Sequence, residues 1–115
     1  MTSTKAFRSR IDVSEYESFI TADGAPAGDV AWLRSTEREG RTYKAGMWRC
    51  GKSGGVPYLF AADETFVMME GILEIKLEDG TTWVFKPGDT GSFLKDTNST
   101  WTVKEPVLHF FIQTT

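Results

Sequence analysis

Residues Leu73 to Phe85 constrain the fold more than any other stretch. Leu73, Ile75 and Leu77 alternate with Glu74, Lys76 and Glu78, and Trp83 and Phe85 resume the alternation beyond Asp79-Gly80. A period of two turns successive side chains to opposite faces, so the pattern predicts two antiparallel strands with one dry and one wet face. Asp79 and Gly80 both tolerate the positive φ of a two-residue turn, which predicts a tight hairpin between them. Pro87-Gly88-Asp89 predicts a second turn at the end of the return strand.

The flanks follow the same logic. Met1 to Arg10 are polar and are expected to be frayed or loosely pinned across a neighbour. Ser14-Glu15-Tyr16-Glu17 has the spacing of a capping box, which predicts one or two helical turns, cut short by Gly24 and Pro26. Val30 to Leu33 reads as a short strand, Glu37 to Arg41 as a charged loop and Tyr43 to Cys50 as the next strand. Alternation puts Gly46, Trp48 and Cys50 on one face of that strand and Ala45, Met47 and Arg49 on the other. Gly51 to Gly55 lacks the spacing of a phosphate-binding loop and no helix pattern follows it, so it is expected to be a flexible connector.

Beyond the hairpin, Ser92 to Leu94 predicts a short strand, Lys95 to Asn98 a turn and Ser99 to Lys104 another strand. Pro106 is expected to open the last one. There Val107, His109 and Phe111 share one face and Leu108, Phe110 and Ile112 the other; both faces are largely apolar, so the strand should be covered on both sides. Short strands spaced by turns, with little helix, predict an all-β sandwich or barrel.

Composition narrows the function. The 115 residues suffice for one domain, and the net charge of -3, with Lys and Arg scattered, argues against nucleic acid or an anionic membrane as partner. No apolar run approaches the ~20 residues of a membrane span. The start, MTSTKAFRSR, has no apolar segment suited to secretion, which predicts a cytoplasmic address and empties the Asn98-Ser99-Thr100 glycosylation triplet of meaning. The single cysteine, Cys50, has no partner for a disulfide within the chain. With His109 as the only histidine, a metal site needing two or three imidazoles cannot be assembled from one chain.

The phrase from Glu64-Thr65-Phe66 to Glu70-Gly71, the hairpin, and Pro87-Gly88-Asp89 together resemble the motifs of a small single-domain cupin. Gly46-Met47-Trp48 and Trp101 match a Gly-x-Trp strand and a late Trp of the group that includes the ethanolamine-utilisation and ureidoglycine aminohydrolase cupins. The likeness runs from about Asp29 to Ile112. It implies an RmlC-like jelly roll, a double-stranded β-helix, with residues 1–28 as an N-terminal arm and 29–115 as the barrel. It also implies a homodimer, because two open sheets leave edges that small cupins cover with a partner's N-terminal strand.

In the metal-binding members two His one residue apart, a Glu and a later His converge inside the barrel. The matching positions here are Tyr58, Phe60, Glu64 and Ser99, and the second motif departs further, with Leu94 and Asp96 in place of its Pro and Gly. The resemblance therefore implies no metal and no cofactor, and a pocket for a small polar or nitrogen-containing metabolite. Its candidate walls are Trp48, Cys50, Tyr58, Phe60, Ser99, Trp101 and His109, and Glu64 is the candidate catalytic base. Without a metal, the Glu64 carboxylate needs a partner or a proton. A barrel filled with side chains, serving a structural dimer, stands as the alternative to binding or catalysis. The activity and the identity of the ligand are left open at this point.

Overall fold

The computed structural model describes residues 6–21 and 23–115. It is built from eight strands: β1 (Glu17–Ile20), β2 (Pro26–Arg38), β3 (Arg41–Cys50), β4 (Ser53–Leu59), β5 (Asp63–Leu77), β6 (Thr82–Phe85), β7 (Thr90–Phe93) and β8 (Asn98–Thr114). Every pairing is antiparallel. β5 and β8 are long enough to serve two sheets each. The last half of β8 and the first half of β5 complete the layer β1-β2-β3-β8-β5-β7. Their other halves join β4 and β6 in the layer β4-β8-β5-β6. Two sheets that share two bent strands form a jelly roll.

The bend has a local cause. The β5–β8 register shifts three times between Met68 and Leu73, and in the middle Gly71 adopts φ +87° with its Cα against the backbone of Glu105-Pro106. A Cβ there would collide with the Pro106 carbonyl. Pro106 lies at the corner of β8, where a missing N–H costs no ladder bond. For that reason Ser99–Lys104 and the segment beyond Pro106 form one strand of 17 residues instead of the two expected.

Other expectations are corrected in the same way. Ser14–Glu17 forms no helix; Glu17 opens β1, which pairs with β2 and so draws part of the expected arm into the sheet. For residues 1–5 the expectation of a frayed end lies outside the described residues, and Ala6–Arg10 form neither helix nor strand. The expected loop Glu37–Arg41 is a two-residue turn in which Glu39 (φ 53°) and Gly40 (φ 76°) close the β2–β3 hairpin. The expected connector Gly51–Gly55 is half strand, because β4 starts at Ser53. At Asp79-Gly80 only Gly80 takes positive φ. Leu77 N–H bonds Thr81 O at 2.8 Å and Gly80 N–H bonds Leu77 O at 3.0 Å, so the loop has three residues with a left-handed glycine, not two. Lys86–Asp89 turns with Gly88 at φ 94° and is tied to β5 by bonds between Met68 and both Gly88 and Asp89.

Between the sheets, Phe60, Phe66, Phe85 and Phe93 fill one part of the barrel together with Leu73 and Ile75. Phe60 stacks on Phe93 at 4.6 Å and 11°. Each such side chain, fully buried, stabilises the fold by about 1.5 to 3 kcal/mol. The remaining interior, walled by β1, β2, β3, β4 and β8, is not filled.

Candidate functional site

A cavity of about 60 Å³ opens in that part of the barrel. The alternation of β3 delivers Trp48 and Cys50 to its wall, β4 delivers Tyr58, and β8 delivers Trp101, His109 and Phe111. The glycine at Gly46 is explained by the same wall, since a Cβ would stand 2.8 Å from the Phe111 ring. β1 adds Phe19, which packs edge-on against Tyr58 at 6.2 Å. Space of this size holds about four to six water-sized groups.

Glu64 is the polar centre. It is 5% exposed, and its Oε1 accepts hydrogen bonds from Tyr58 Oη (3.1 Å) and Gln113 Nε2 (2.8 Å). No cation pairs with it among the described residues. Burial pushes its pKa up, and the two hydrogen bonds only partly oppose this. Its second oxygen, Oε2, has no hydrogen-bond partner among the described residues. Among the described residues the one fully enclosed side-chain nitrogen or oxygen without a partner is His109 Nδ1, so Oε2 is not sealed off, and Glu64 lines the cavity. Tyr58 remains a phenol, its pKa raised by burial and by the nearby Glu64 charge.

His109 is 1% exposed and lies between Trp48 (4.9 Å) and Phe66 (4.6 Å, 15°). Burial alone lowers its pKa to about 3, so it is neutral at physiological pH. Cys50 is pushed up by burial and by Asp29, which keeps it a thiol and a poor nucleophile. Trp48 is fixed by its indole N–H, which donates to Ala27 O at 2.7 Å.

Glu64, Trp48, Cys50, Tyr58, Trp101 and His109 thus meet at one cavity, while Phe60 and Ser99 stand outside it. Phe60 is fully buried against Phe93. Ser99 is used up locally: its hydroxyl donates to Tyr58 O (2.7 Å) and accepts from Trp101 Nε1 (3.0 Å). Gln113 is the residue that strand patterning missed. It continues the inward set Val107, His109, Phe111 by one more step and faces Glu64 as its direct cross-strand partner, a relation visible only once β5 and β8 are paired.

A metal of the kind some barrels of this type hold finds no donor set here. At the corresponding positions Phe60 has no lone pair and Ser99 is committed to its neighbours, leaving Glu64 and a neutral phenol. No group of three His, Cys, Asp or Glu suited to a metal forms among the described residues.

The model of the EutQ-like cupin domain family matches residues 37–110, which includes both bent strands through Phe110 and most of the cavity wall. The chain belongs to the EutQ-like cupin domain family. Among solved structures this cupin is similar to a DUF861-family protein from Thermotoga maritima, with 31% identity over 56% of this chain and 73% of that one and a TM-score of 0.54. It is also similar to the EutQ protein of Clostridium difficile (16% identity, 78% and 71% of the two chains, TM-score 0.60). A Salmonella typhimurium protein described as ethanolamine utilization protein Q aligns at 18% identity over 86% and 93%, with a TM-score of 0.59. At the identities of the last two, the likeness bears on the fold alone. No curated protein matches the sequence.

Proposed function

We propose that this cupin binds a small metabolite in the barrel cavity through Glu64, without a metal. The observation that carries the reading is a buried carboxyl group, Glu64, whose Oε2 has no partner among the described residues, on the wall of an aromatic-lined space of about 60 Å³. A pocket with apolar walls and a few convergent polar groups is the usual form of a small-molecule site. A barrel serving only as a structural plug has no use for that space or for a carboxylate desolvated within it. The protein acts, on this reading, as a cytoplasmic homodimer with neither nucleic acid nor membrane as partner. No helix among the described residues is long and apolar enough to cross a membrane.

A second reading, metal-independent catalysis with Glu64 as base, draws on the raised pKa of that carboxylate, which brings it closer to the range a general base needs. Both readings are tested by native mass spectrometry of the protein purified from its source cells, followed by assays on ureido and amino-acid compounds. A co-purifying small molecule lost in Glu64→Gln supports binding, and turnover lost in the same variant supports catalysis. Wild type and variant that both emerge free of any ligand, with no compound shifting their melting, would reject the pair.

A further inference from the structure

The cavity's polar groups differ from its size in what they say: they select a charge. Its described lining carries no Lys or Arg, and Glu64 is its one carboxylate. His109 is neutral, and the Cys50 thiol and Tyr58 phenol are uncharged at physiological pH. The side-chain hydrogen bonds that reach Glu64, from Tyr58 and Gln113, both end on Oε1. Trp48 and Trp101 likewise direct their N–H groups away, to Ala27 and Ser99. Beside aromatic rings from Phe19, Tyr58, Trp48, Trp101 and Phe111, the one carboxyl group on the wall is that of Glu64, whose Oε2 has no partner among the described residues.

A pocket whose single carboxyl group faces no Lys or Arg disfavours anions and favours a cation that can donate hydrogen bonds to it. Aromatic faces add attraction for a cation once water is excluded. Resting on the binding reading above, we propose that the ligand is a small organic ammonium ion of about four to six heavy atoms, with its N–H groups on Glu64 Oε2 and its alkyl part against the aromatic wall.

The charge balance adds a signature. Burial raises the Glu64 pKa in the empty site, whereas a bound ammonium favours the carboxylate, so binding lowers that pKa. The other titratable groups that face Glu64 are Tyr58 from β4, His109 from β8 and Cys50 from β3; β1 and β2 present Phe19, Thr21, Pro26, Ala27 and Val30, and β7 sets Phe93 opposite, none of them ionisable.

The test is calorimetric titration of the intact protein with n-propylammonium, n-propanol and propionate. Propylammonium is expected to bind at least ten-fold more tightly than propanol, and propionate not at all. Glu64→Gln is expected to lower propylammonium affinity ten-fold or more with an unchanged circular dichroism spectrum. Should that variant fail to fold, Ser53→Lys, which places a cation on the cavity wall, is expected to have the same effect on affinity. Propanol or propionate binding as tightly as propylammonium, with loss in either variant, overturns the ammonium assignment and leaves the binding site standing. Unchanged affinity in a folded Glu64→Gln also overturns the assignment, and an absence of binding by all three probes overturns both it and the binding reading.

Discussion

Gln113 Nε2 donates to Glu64 Oε1 at 2.8 Å across the β5–β8 ladder, where the two residues are direct partners. Because this bond favours the ionised carboxylate, it works against the burial that raises the Glu64 pKa. Gln113→Leu is therefore expected to raise that pKa further, and Tyr58→Phe to do so to a lesser degree. Carboxyl carbon shifts followed through a pH titration check both; a downward or null change in Gln113→Leu would contradict the assignment of the bond.

His109 makes stability depend on acid. Its folded pKa of about 3 lies below its ordinary value of 6.5, so between these limits the unfolded chain binds more protons than the native one. Stability is expected to fall as pH drops from about 6.5 toward 3, with a slope of up to about 1.4 kcal/mol per pH unit. Glu64 has the opposite sign: its pKa is raised from 4.5, so its contribution is complete below that value and is lost as pH rises through its folded pKa. Denaturant unfolding at a series of pH values should show a flatter acid limb in His109→Gln; an equally steep limb would mean that His109 is not the group responsible.

Gly71 and Gly80 share a left-handed backbone, at φ +87° and +89°, but differ in their surroundings. A Cβ at Gly80 meets nothing within 4 Å, whereas at Gly71 it meets the Glu105-Pro106 backbone. Gly80→Val is expected to cost about 1 to 3 kcal/mol from strain alone. Gly71→Ala should cost more than Gly80→Ala, because a packed strand must also move aside. Equal melting temperatures for the two alanine variants would reject the packed corner.

Metal content is expected to be negligible. With Phe60 and Ser99 where imidazoles would be needed, Glu64 and Tyr58 cannot complete the three protein ligands usual for catalytic zinc. Elemental analysis of untagged protein provides the measurement. Near-stoichiometric zinc, iron, nickel or manganese that disappears in Glu64→Ala would overturn this and the proposed metal-free site together.

Dimerisation is expected from the open edges of the two sheets, where β1, β7, β4 and β6 each have one side that no described strand pairs with. Light scattering at micromolar concentration should give twice the chain mass of 12.9 kDa. A monomer under those conditions would end the expectation.

The all-β class was legible because period-two alternation is local: Leu73, Ile75 and Trp101 announce buried faces without any knowledge of their partners. The motif spacing from Glu64 to Gly71 likewise marked the cupin barrel, and Gly71 is demanded by the β5 corner, where a Cβ would meet the Pro106 carbonyl. Six of the residues at the cavity carried a chemical type or a motif position that singled them out. Gln113 did not, for its role depends on standing opposite Glu64, 49 positions away in sequence. The same limit applied to Ser99, whose hydroxyl looked free until Tyr58 and Trp101 came within reach, and to Pro106, which reads as a strand start until the corner of β8 makes it tolerable. Alternation and turn chemistry are properties of neighbours along the chain, and the sequence determined them by itself. Which hydrogen bonds are satisfied, which carboxylate oxygen is left over and where the barrel stays empty depend on residues brought together from distant strands, and only the tertiary structure decided those.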